Sequence, residues 1–270
     1  MKRLVITLFV LLGCLVSLAQ DRPKVALVLG GGGAKGAATV GVLKYIEKSE
    51  VPIDMVVGTS IGSIVGGLYA MGYRNEQLDS LFRTQGWIDL FTGSLMGDSI
   101  VTTLRDLTAN VTFDKLDLPF RCVAVDAKKL REVVLSEGDV ALAMRASMAI
   151  PVVFKPVNMD GMTLVDGGVL NNLPVDVAKD MGADYIIAVD LTVNKHTGDD
   201  APKGIMALLR PDLVKYRKNC AAADIYISPK LKGYGAQDFT SKRIAEMITI
   251  GEKAGKSSLK KLKKLNRKLQ

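Results

Sequence analysis

The sequence predicts an α/β fold, a three-layer α/β/α sandwich around a mostly parallel sheet. Short apolar runs, such as 24–29 (KVALVL) and 185–189 (YIIAV), are typical of strands that are buried on both faces. Segments with apolar residues at helical spacing alternate with these runs, which indicates parallel strands covered by helices. The 26 glycines and only 6% aromatic residues suit tight strand-to-helix turns better than a β-sandwich.

In chain order, apolar runs predict the strands and a 3.6-residue period predicts the helices. Pro151 ends one predicted helix and Pro174 begins the next. The segment 86–117 shows no clear period. The predicted strands are 24–29, 54–57, 120–125, 132–135, 163–165, 185–189 and 225–227. The predicted helices are 34–49, 61–71, 75–83, 140–149, 174–181, 202–218 and 241 to the end.

Length and composition exclude several protein classes. A chain of 270 residues with 48% hydrophobic residues is too apolar for disorder, and 26 glycines and 9 prolines are too few for collagen. Three cysteines are too few for a disulfide-stapled scaffold. No linker divides the chain, so we expect one globular domain over 20–250.

The first 19 residues are expected to be a secretory signal peptide. Two cations precede a 16-residue apolar stretch, and small residues occupy positions −3 and −1 of a cleavage site before Gln20. The stretch is shorter than the roughly 20 residues of a membrane span. It also continues past Cys14, which disfavours a lipoprotein site there. We therefore expect an exported protein, periplasmic or secreted.

Cys122 and Cys220 remain after cleavage of the signal peptide. Export would allow them to pair, but both lie in apolar-patterned segments, which favours buried free thiols. The chain has a single histidine and no Cys-x-x-Cys motif, so it offers no convincing zinc constellation. We expect neither a metal nor another cofactor.

The net charge of +8 is concentrated in the C-terminal segment 251–270, which has eight basic residues and one acidic residue. Residues 20–250 have 26 basic and 27 acidic residues. A basic amphipathic helix can lie on anionic lipid, so peripheral membrane contact through this segment is one interpretation. A helix packed on the core with a basic outer face is the other, and no nucleic-acid partner is expected. The apolar stripe comprises Ile244, Ile248, Gly251, Gly255, Leu259, Leu262, Leu265 and Leu269.

The first glycine motif, 30–36 (GGGGAKG), lies between a strand and a helix. Glycines let the backbone approach a ligand, and the helix N-terminus adds positive potential, so the loop is a candidate anion site. The spacing Gly31-x-Gly33-x-x-Gly36 matches a dinucleotide fingerprint, but the second strand does not end in the required acidic residue. Lys35 precedes Gly36, whereas a P-loop needs Gly-Lys followed by Ser or Thr.

The second motif, Gly58-Thr59-Ser60-Ile61-Gly62, also follows a strand and precedes a helix. In this context Gly-x-Ser-x-Gly is typical of a nucleophile elbow, a sharp turn that exposes the serine hydroxyl. The alternative is that Ser60 only caps the helix. The glycine loop upstream favours the nucleophile.

The third motif, Asp166-Gly167-Gly168, stands at a strand end. It is either an ordinary Asp-Gly turn or a base for Ser60, since burial would raise the proton affinity of the carboxylate. The order Ser60, Asp166, His196 also matches an α/β-hydrolase triad. That fold places its elbow after several strands, and charged residues surround His196, which favours a surface histidine.

Together the three motifs resemble the signature blocks of the patatin-like phospholipases, in order and spacing, over roughly 24–190. Segments 146–151 (ASMAIP) and 171–174 (NNLP) fit the same family. The resemblance implies a lipid acyl hydrolase, acting on phospholipid or another acyl ester without metal. It implies that Ser60 is the nucleophile and Asp166 the base. The implied oxyanion-hole residues are Gly31, Gly32, Gly33 and Lys35, and the implied motif glycines are Gly36, Gly58, Gly62, Gly167 and Gly168.

Overall fold

One mixed sheet of eight strands organises the computed structural model, which describes residues 22–84, 98–192 and 213–270. The strands are β1 Val25–Leu29, β2 Met55–Thr59, β3 Phe120–Asp126, β4 Arg131–Leu135, β5 Val157–Met159, β6 Met162–Asp166, β7 Tyr185–Val189 and β8 Ile225–Ile227. The helices of these segments are α1 Gly36–Lys48, α2 Ile61–Ala70, α3 Asn75–Thr84, α4 Asp98–Thr108, α5 Val140–Ser147, α6 Val175–Asp180, α7 Leu213–Ala222 and α8 Ser241–Leu269.

The centre of the sheet is parallel and one side is antiparallel. Strands β8, β7, β1, β2 and β3 run parallel in that spatial order. Strands β4 and β6 both pair antiparallel with β3, and β5 pairs antiparallel with β6. The predicted α/β class is confirmed, with two antiparallel hairpins, β3–β4 and β5–β6, added beside the parallel core.

Helices cover both faces of the sheet, as the alternation along β1 shows. Val25, Leu27 and Leu29 join a core formed with α1 to α5 and α8, whereas Ala26 and Val28 join a second core with α6 and α7. All five side chains are fully buried. A strand buried on both faces reads as a continuous apolar run, which is why this element is evident in the sequence.

The two cysteines of the described chain are free thiols. Cys122 lies in the core under α1 to α5, whereas Cys220 packs against the core on the other face of the sheet. The sheet separates the two side chains and prevents them from pairing. Burial raises the pKa of the Cys122 thiol, so it remains protonated at neutral pH.

The C-terminal segment 251–270 belongs to one continuous helix, α8, which begins at Ser241 and packs along α1. A Cβ atom placed on Gly251 would lie 1.9 Å from the Ala38 carbonyl oxygen, so the glycine allows the two backbones to touch. The apolar stripe is therefore covered by the core, which contradicts the expectation that this face lies on a membrane. The buried members are Ile244, Ile248, Gly251, Gly255, Leu262, Leu265 and Leu269, and Leu259 is half-buried.

The direction of α8 places its basic end far from the carboxyl ends of the parallel strands. The side-chain amide of Asn266 donates to the Ser49 carbonyl oxygen at the far end of α1, at 3.3 Å. The Lys268 ammonium lies 4.7 Å from the ring centre of Tyr185, the first residue of β7. In the segments that the structure describes, no helix combines the length and hydropathy needed to cross a membrane.

Candidate active site

The three glycine motifs converge at the carboxyl edge of the parallel strands, where ligands bind in open α/β sheets. Strand β3 brings two of them together. Its residue Val123 pairs with Thr59 at the end of β2, and the next residue, Ala124, pairs with Asp166 at the end of β6. Strands β2 and β6 therefore pair with the same edge of β3, β2 along residues 120–123 and β6 along residues 124–126. Because Ser60 follows Thr59, it lies directly beside Asp166.

Ser60 has the strained backbone of a nucleophile elbow, with φ 56° and ψ −128°. A non-glycine residue in this region is uncommon and persists where the surrounding structure holds it. Packing explains the flanking glycines: a Cβ atom on Gly58 would lie 2.4 Å from the Gly62 carbonyl oxygen, and one on Gly62 would lie 2.2 Å from that of Leu29. The Ser60 hydroxyl makes no capping hydrogen bond to α2, so the helix-cap interpretation is wrong.

The Ser60 hydroxyl donates to Oδ2 of Asp166 at 2.7 Å. The other carboxylate oxygen, Oδ1, accepts from the Gly168 N–H group, also at 2.7 Å. Both side chains are buried, since Ser60 and Asp166 are each 6% exposed. Burial raises the pKa of Asp166 to about 6, although the hydrogen bonds from Ser60 and Gly168 oppose the shift. The aspartate is therefore a stronger base than an exposed one.

Gly167 is a glycine because the turn packs against β3. A Cβ atom at this position would lie 2.2 Å from the Val123 carbonyl oxygen. Any side chain would push the Asp166 turn away from the end of β2. The glycine therefore keeps the carboxylate within reach of Ser60.

Ser147, the last residue of α5, holds the elbow through a hydrogen bond to its backbone. Its Oγ accepts a hydrogen bond from the Ser60 N–H group at 2.9 Å and donates to the Val123 carbonyl oxygen at 2.6 Å. Ser147 is fully buried. The sequence pointed to it only as part of the ASMAIP segment and suggested no role for its side chain.

The glycine loop requires one correction to the predicted oxyanion-hole set. The Gly31 N–H group donates to the Asn172 carbonyl oxygen at 3.2 Å, so it is already engaged. Gly30 likewise donates to Val189 at 2.9 Å. The N–H groups of Gly32 and Gly33 have no hydrogen-bond partner among the described residues, which leaves these two as candidate oxyanion donors.

Asn172 joins the glycine loop to the aspartate turn, and the sequence pointed to it only as part of the NNLP segment. Its side-chain amide donates to the Gly31 carbonyl oxygen at 3.3 Å. Its Oδ1 would lie 2.4 Å from a Cβ atom on Gly31 and 2.8 Å from one on Gly168. Both positions are therefore glycines because Asn172 fills the space between the two motifs.

Lys35 and Gly36 complete the loop. Burial lowers the pKa of the Lys35 ammonium, although the carboxylates of Asp190 and Asp238 oppose the shift. A Cβ atom on Gly36 would lie 2.3 Å from Cγ1 of Ile61, so this glycine lets α1 begin against the elbow. Packing against Ile61 thus explains why residue 36, which matches the dinucleotide fingerprint in the sequence, is a glycine.

Three predictions fall on residues outside the described segments. These are the signal peptide 1–19, the surface position of His196, and the part of 202–218 that precedes Leu213. The unassigned segment 86–117 contains helix α4 and a short 3₁₀ turn at Phe113–Lys115 in its described part. Within the described residues, no group of three or more His, Cys, Asp or Glu side chains is arranged to hold a metal ion.

Comparison with known proteins agrees with the motif resemblance. Patatin-like phospholipase is the family whose model matches, over residues 27–179, more than half of the chain. Patatin-like phospholipase domain-containing protein 6 of Homo sapiens is 38% identical over 190 residues, covering 62% of this chain and 13% of that protein. Lysophospholipase nte1 of Aspergillus fumigatus is 31% identical over 284 residues, covering 88% of this chain and 18% of its own length.

An uncharacterized NTE family protein of Mycobacterium tuberculosis is 34% identical over 180 residues, with 64% of this chain and 50% of that protein covered. The chain thus spans half or less of the length of these relatives.

Solved structures share the fold. VipD from Legionella pneumophila superposes with a TM-score of 0.54 at 14% identity, covering 89% of this chain and 67% of VipD. ExoU from Pseudomonas aeruginosa, in its complex with SpcU, gives 0.55 at 17% identity, covering 90% of this chain and 52% of ExoU. At these identities the likeness concerns the fold alone. With the family match and the convergent motifs, it leads to one conclusion: the chain belongs to the patatin-like phospholipase family.

Proposed function

We propose that this chain is a serine lipid acyl hydrolase that works through a Ser60–Asp166 dyad. The observation that carries the proposal is the 2.7 Å hydrogen bond between the Ser60 hydroxyl and a buried carboxylate. A serine hydroxyl needs an adjacent base to become a nucleophile. The raised pKa of Asp166, about 6, improves the match between this base and its task near neutral pH.

In the proposed reaction Ser60 Oγ attacks the carbonyl carbon of an acyl ester while Asp166 Oδ2 accepts the hydroxyl proton. The tetrahedral intermediate collapses to an acyl-enzyme, and the proton on Asp166 passes to the departing alcohol or lysolipid. Water then attacks the acyl-enzyme while the same carboxylate accepts its proton, and that proton passes to Ser60 Oγ as the fatty acid leaves.

The negative oxygen of the intermediate needs donors that are already in place. The N–H groups of Gly32 and Gly33, which have no partner in the part of the chain that the structure describes, lie in the loop that Asn172 holds beside Ser60, and they are the proposed donors. Loss of one such donor in a comparable hydrolase reduces kcat by about 100- to 1,000-fold. Lys35 adds positive charge to the same loop.

The proposed substrate class is a phospholipid or lysophospholipid. The name of the family and that of lysophospholipase nte1 support this class. Export through the predicted signal peptide 1–19 is part of the same proposal and rests on the sequence alone.

The test is hydrolysis of a short p-nitrophenyl ester and of phospholipid vesicles by the purified chain without residues 1–19. We expect Ser60→Ala and Asp166→Asn each to abolish both activities. Ser49→Ala is a matched control, because Ser49 is also buried and hydrogen-bonded but lies at the far end of α1. Asp54→Asn is the control for the aspartate, because Asp54 lies before β2 and accepts from the Val25 N–H group.

The same assay distinguishes the other interpretations. A His196→Ala variant that keeps full activity supports the dyad, whereas its loss of activity would support a triad. A folded wild-type chain that hydrolyses neither substrate would contradict the proposal and favour a binding role. Binding of nucleotide that is indifferent to Ser60→Ala would point to the glycine loop as a phosphate site.

A further inference from the structure

Large apolar side chains are exposed at one end of the molecule. Within the described residues, the exposed large hydrophobic side chains lie on three segments: the β3–β4 turn with β4, the loop after α5, and the start of α7. They are Leu130, Val134, Val152, Val153, Leu213 and Val214. Clustered exposed apolar groups mark interaction surfaces more often than scattered ones do.

The β3–β4 turn projects past the nucleophile. Thr59 pairs with Val123, so Ser60 lies at about the level of the following β3 residue. The strand continues to Asp126, which pairs with Arg131, and residues 127–130 form the turn. At about 3.3 Å per residue, the turn begins roughly 10 Å beyond the level of Ser60. Leu130, the last residue of the turn, is 74% exposed.

The loop after α5 begins at the dyad itself. The Asp166 N–H group donates to the Ala149 carbonyl oxygen at 2.9 Å. Val152 follows three residues later, so its Cα lies no more than about 11 Å from that of Ala149. It is 73% exposed and has φ 71°, a conformation that β-branched residues rarely adopt. An apolar side chain is thus held in solvent close to the dyad at a conformational cost.

The start of α7 lies beside the β3–β4 turn. Lys215 forms ion pairs with Glu132 and Asp176, and Glu132 is the neighbour of Arg131 at the beginning of β4. Leu213 and Val214 precede Lys215 and are 58% and 64% exposed. The three segments therefore surround the same end of the sheet.

The β3–β4 turn is basic, and the carboxylates of Glu132 and Asp176 at the same end are paired with Lys215. Lys128, Lys129 and Arg131 are exposed on either side of Leu130. Asp160 is an exposed acidic residue on the adjacent β5–β6 turn. Basic residues interleaved with apolar ones complement an anionic lipid surface, since the cations meet headgroups while the apolar side chains enter the interface.

We propose that a docking face, formed by Lys128, Lys129, Leu130, Arg131, Val152 and Val153, seats this end of the molecule on an anionic phospholipid bilayer. The choice of a phospholipid bilayer as the partner rests on the proposed function, because the docking face borders the dyad that would receive the lipid. It places membrane contact at the end opposite to the basic part of α8. A protein partner is an outcome of the test.

The test is binding to sedimented vesicles of ether-linked phosphatidylcholine, with and without ether-linked phosphatidylglycerol. Ether lipids carry no acyl ester, so binding is measured whether or not the chain is a hydrolase. We compare the wild type with K128Q/K129Q, with L130S/V152S, and with K263Q/K264Q as a matched control. Lys263 and Lys264 are exposed on α8 near the far end of α1.

We expect wild type and the α8 variant to bind anionic vesicles equally. K128Q/K129Q should bind about 25-fold more weakly, since each surface cation contributes about fivefold. L130S/V152S should also lose affinity, and 0.5 M salt should weaken the wild type. Circular dichroism and thermal unfolding confirm that each variant is folded.

Three results would each overturn the docking face. The first is wild type that does not bind anionic vesicles, which would leave the face to a protein partner. The second is wild-type affinity in both docking-face variants. The third is an equal loss in K263Q/K264Q. If the proposed hydrolase activity fails, the wild-type chain will be inactive on the soluble ester but will still bind vesicles.

Discussion

The Ser60 N–H group donates to Oγ of Ser147 at 2.9 Å, although the two residues are 87 positions apart. Ser147 donates in turn to the Val123 carbonyl oxygen, so one buried hydroxyl connects the nucleophile to strand β3. The hydrogen bond helps to hold the unfavourable φ of 56° at Ser60, which directs its hydroxyl at Asp166.

Ser147→Ala should lower kcat for a soluble ester by about tenfold while KM changes little, because a small misplacement of the nucleophile slows chemistry more than binding. It should also destabilise the fold by about 1–3 kcal/mol, since two buried polar groups lose their partner. Steady-state kinetics and urea unfolding measure both effects. Ser49→Ala is the control, and an equal fall in kcat in that variant would contradict a positioning role.

The activity should rise with pH through a value near 6, because Asp166 must be ionised to accept the serine proton and its pKa is raised to about 6. At pH 5 the value of kcat/KM should be about tenfold below its plateau, since about one molecule in eleven carries the ionised form. A soluble ester avoids effects of lipid charge. A flat profile between pH 5 and 8 would show that Asp166 is not the titrating base.

The same buried carboxylate should make the fold less stable at neutral than at acidic pH. The folded-state pKa exceeds that of an exposed aspartate, so the native state binds more protons between pH 4 and 6, and the free energy of unfolding falls as pH rises. The effect is about 3 kcal/mol for a shift from 3.8 to about 6.

Asp166→Asn removes this ionisation. Relative to wild type, the variant should gain about 2.4 kcal/mol in unfolding free energy between pH 4 and pH 8, measured by urea denaturation, because part of the full effect lies below pH 4. Asp160→Asn, at an exposed turn, is the control for an Asp-to-Asn change outside the site. A pH-independent difference between Asp166→Asn and wild type would contradict the raised pKa.

Gly33→Ala should reduce kcat by about 100-fold or more, because a Cβ atom there would lie 2.3 Å from the Ala236 carbonyl oxygen and would displace a proposed oxyanion donor. Gly138→Ala is the matched control: both glycines have positive φ, 58° and 78°, but nothing lies within 4 Å of a Cβ atom on Gly138. Both variants share the backbone strain, and only Gly33→Ala should lose activity. Equal activity of the two in the ester assay would remove Gly33 from the site.

The sequence predicted the parallel centre of the fold well, because strands buried on both faces form unmistakable apolar runs. The range 185–189 coincides with β7, and 225–227 with β8. The short β5 was not predicted, since its three residues are partly exposed and have no apolar pattern. The antiparallel pairing of β6 with β3 was also missed, because strand direction depends on the connection rather than on the strand itself.

The sequence predicted those residues of the site that lie within local motifs. The sequence indicated Ser60 and Asp166, and the structure places them in contact. The resemblance implied Gly31 in the oxyanion hole, but its N–H group donates to the carbonyl of Asn172, 141 positions away. Ser147 and Asn172 act through hydrogen bonds between distant segments, which no spacing within one motif encodes. The apolar stripe of α8 has the same pattern whether it covers lipid or α1, so only the packing distinguished the two.

The most direct test of the dyad is the site of covalent modification by a fluorophosphonate, which reports an activated serine without any lipid. Intact mass and peptide mapping should show one adduct, on Ser60, at a rate greatly reduced in Asp166→Asn and unchanged in Asp54→Asn. A folded wild-type chain that is not modified, or one modified at another serine as readily in Ser60→Ala, would contradict the Ser60–Asp166 account.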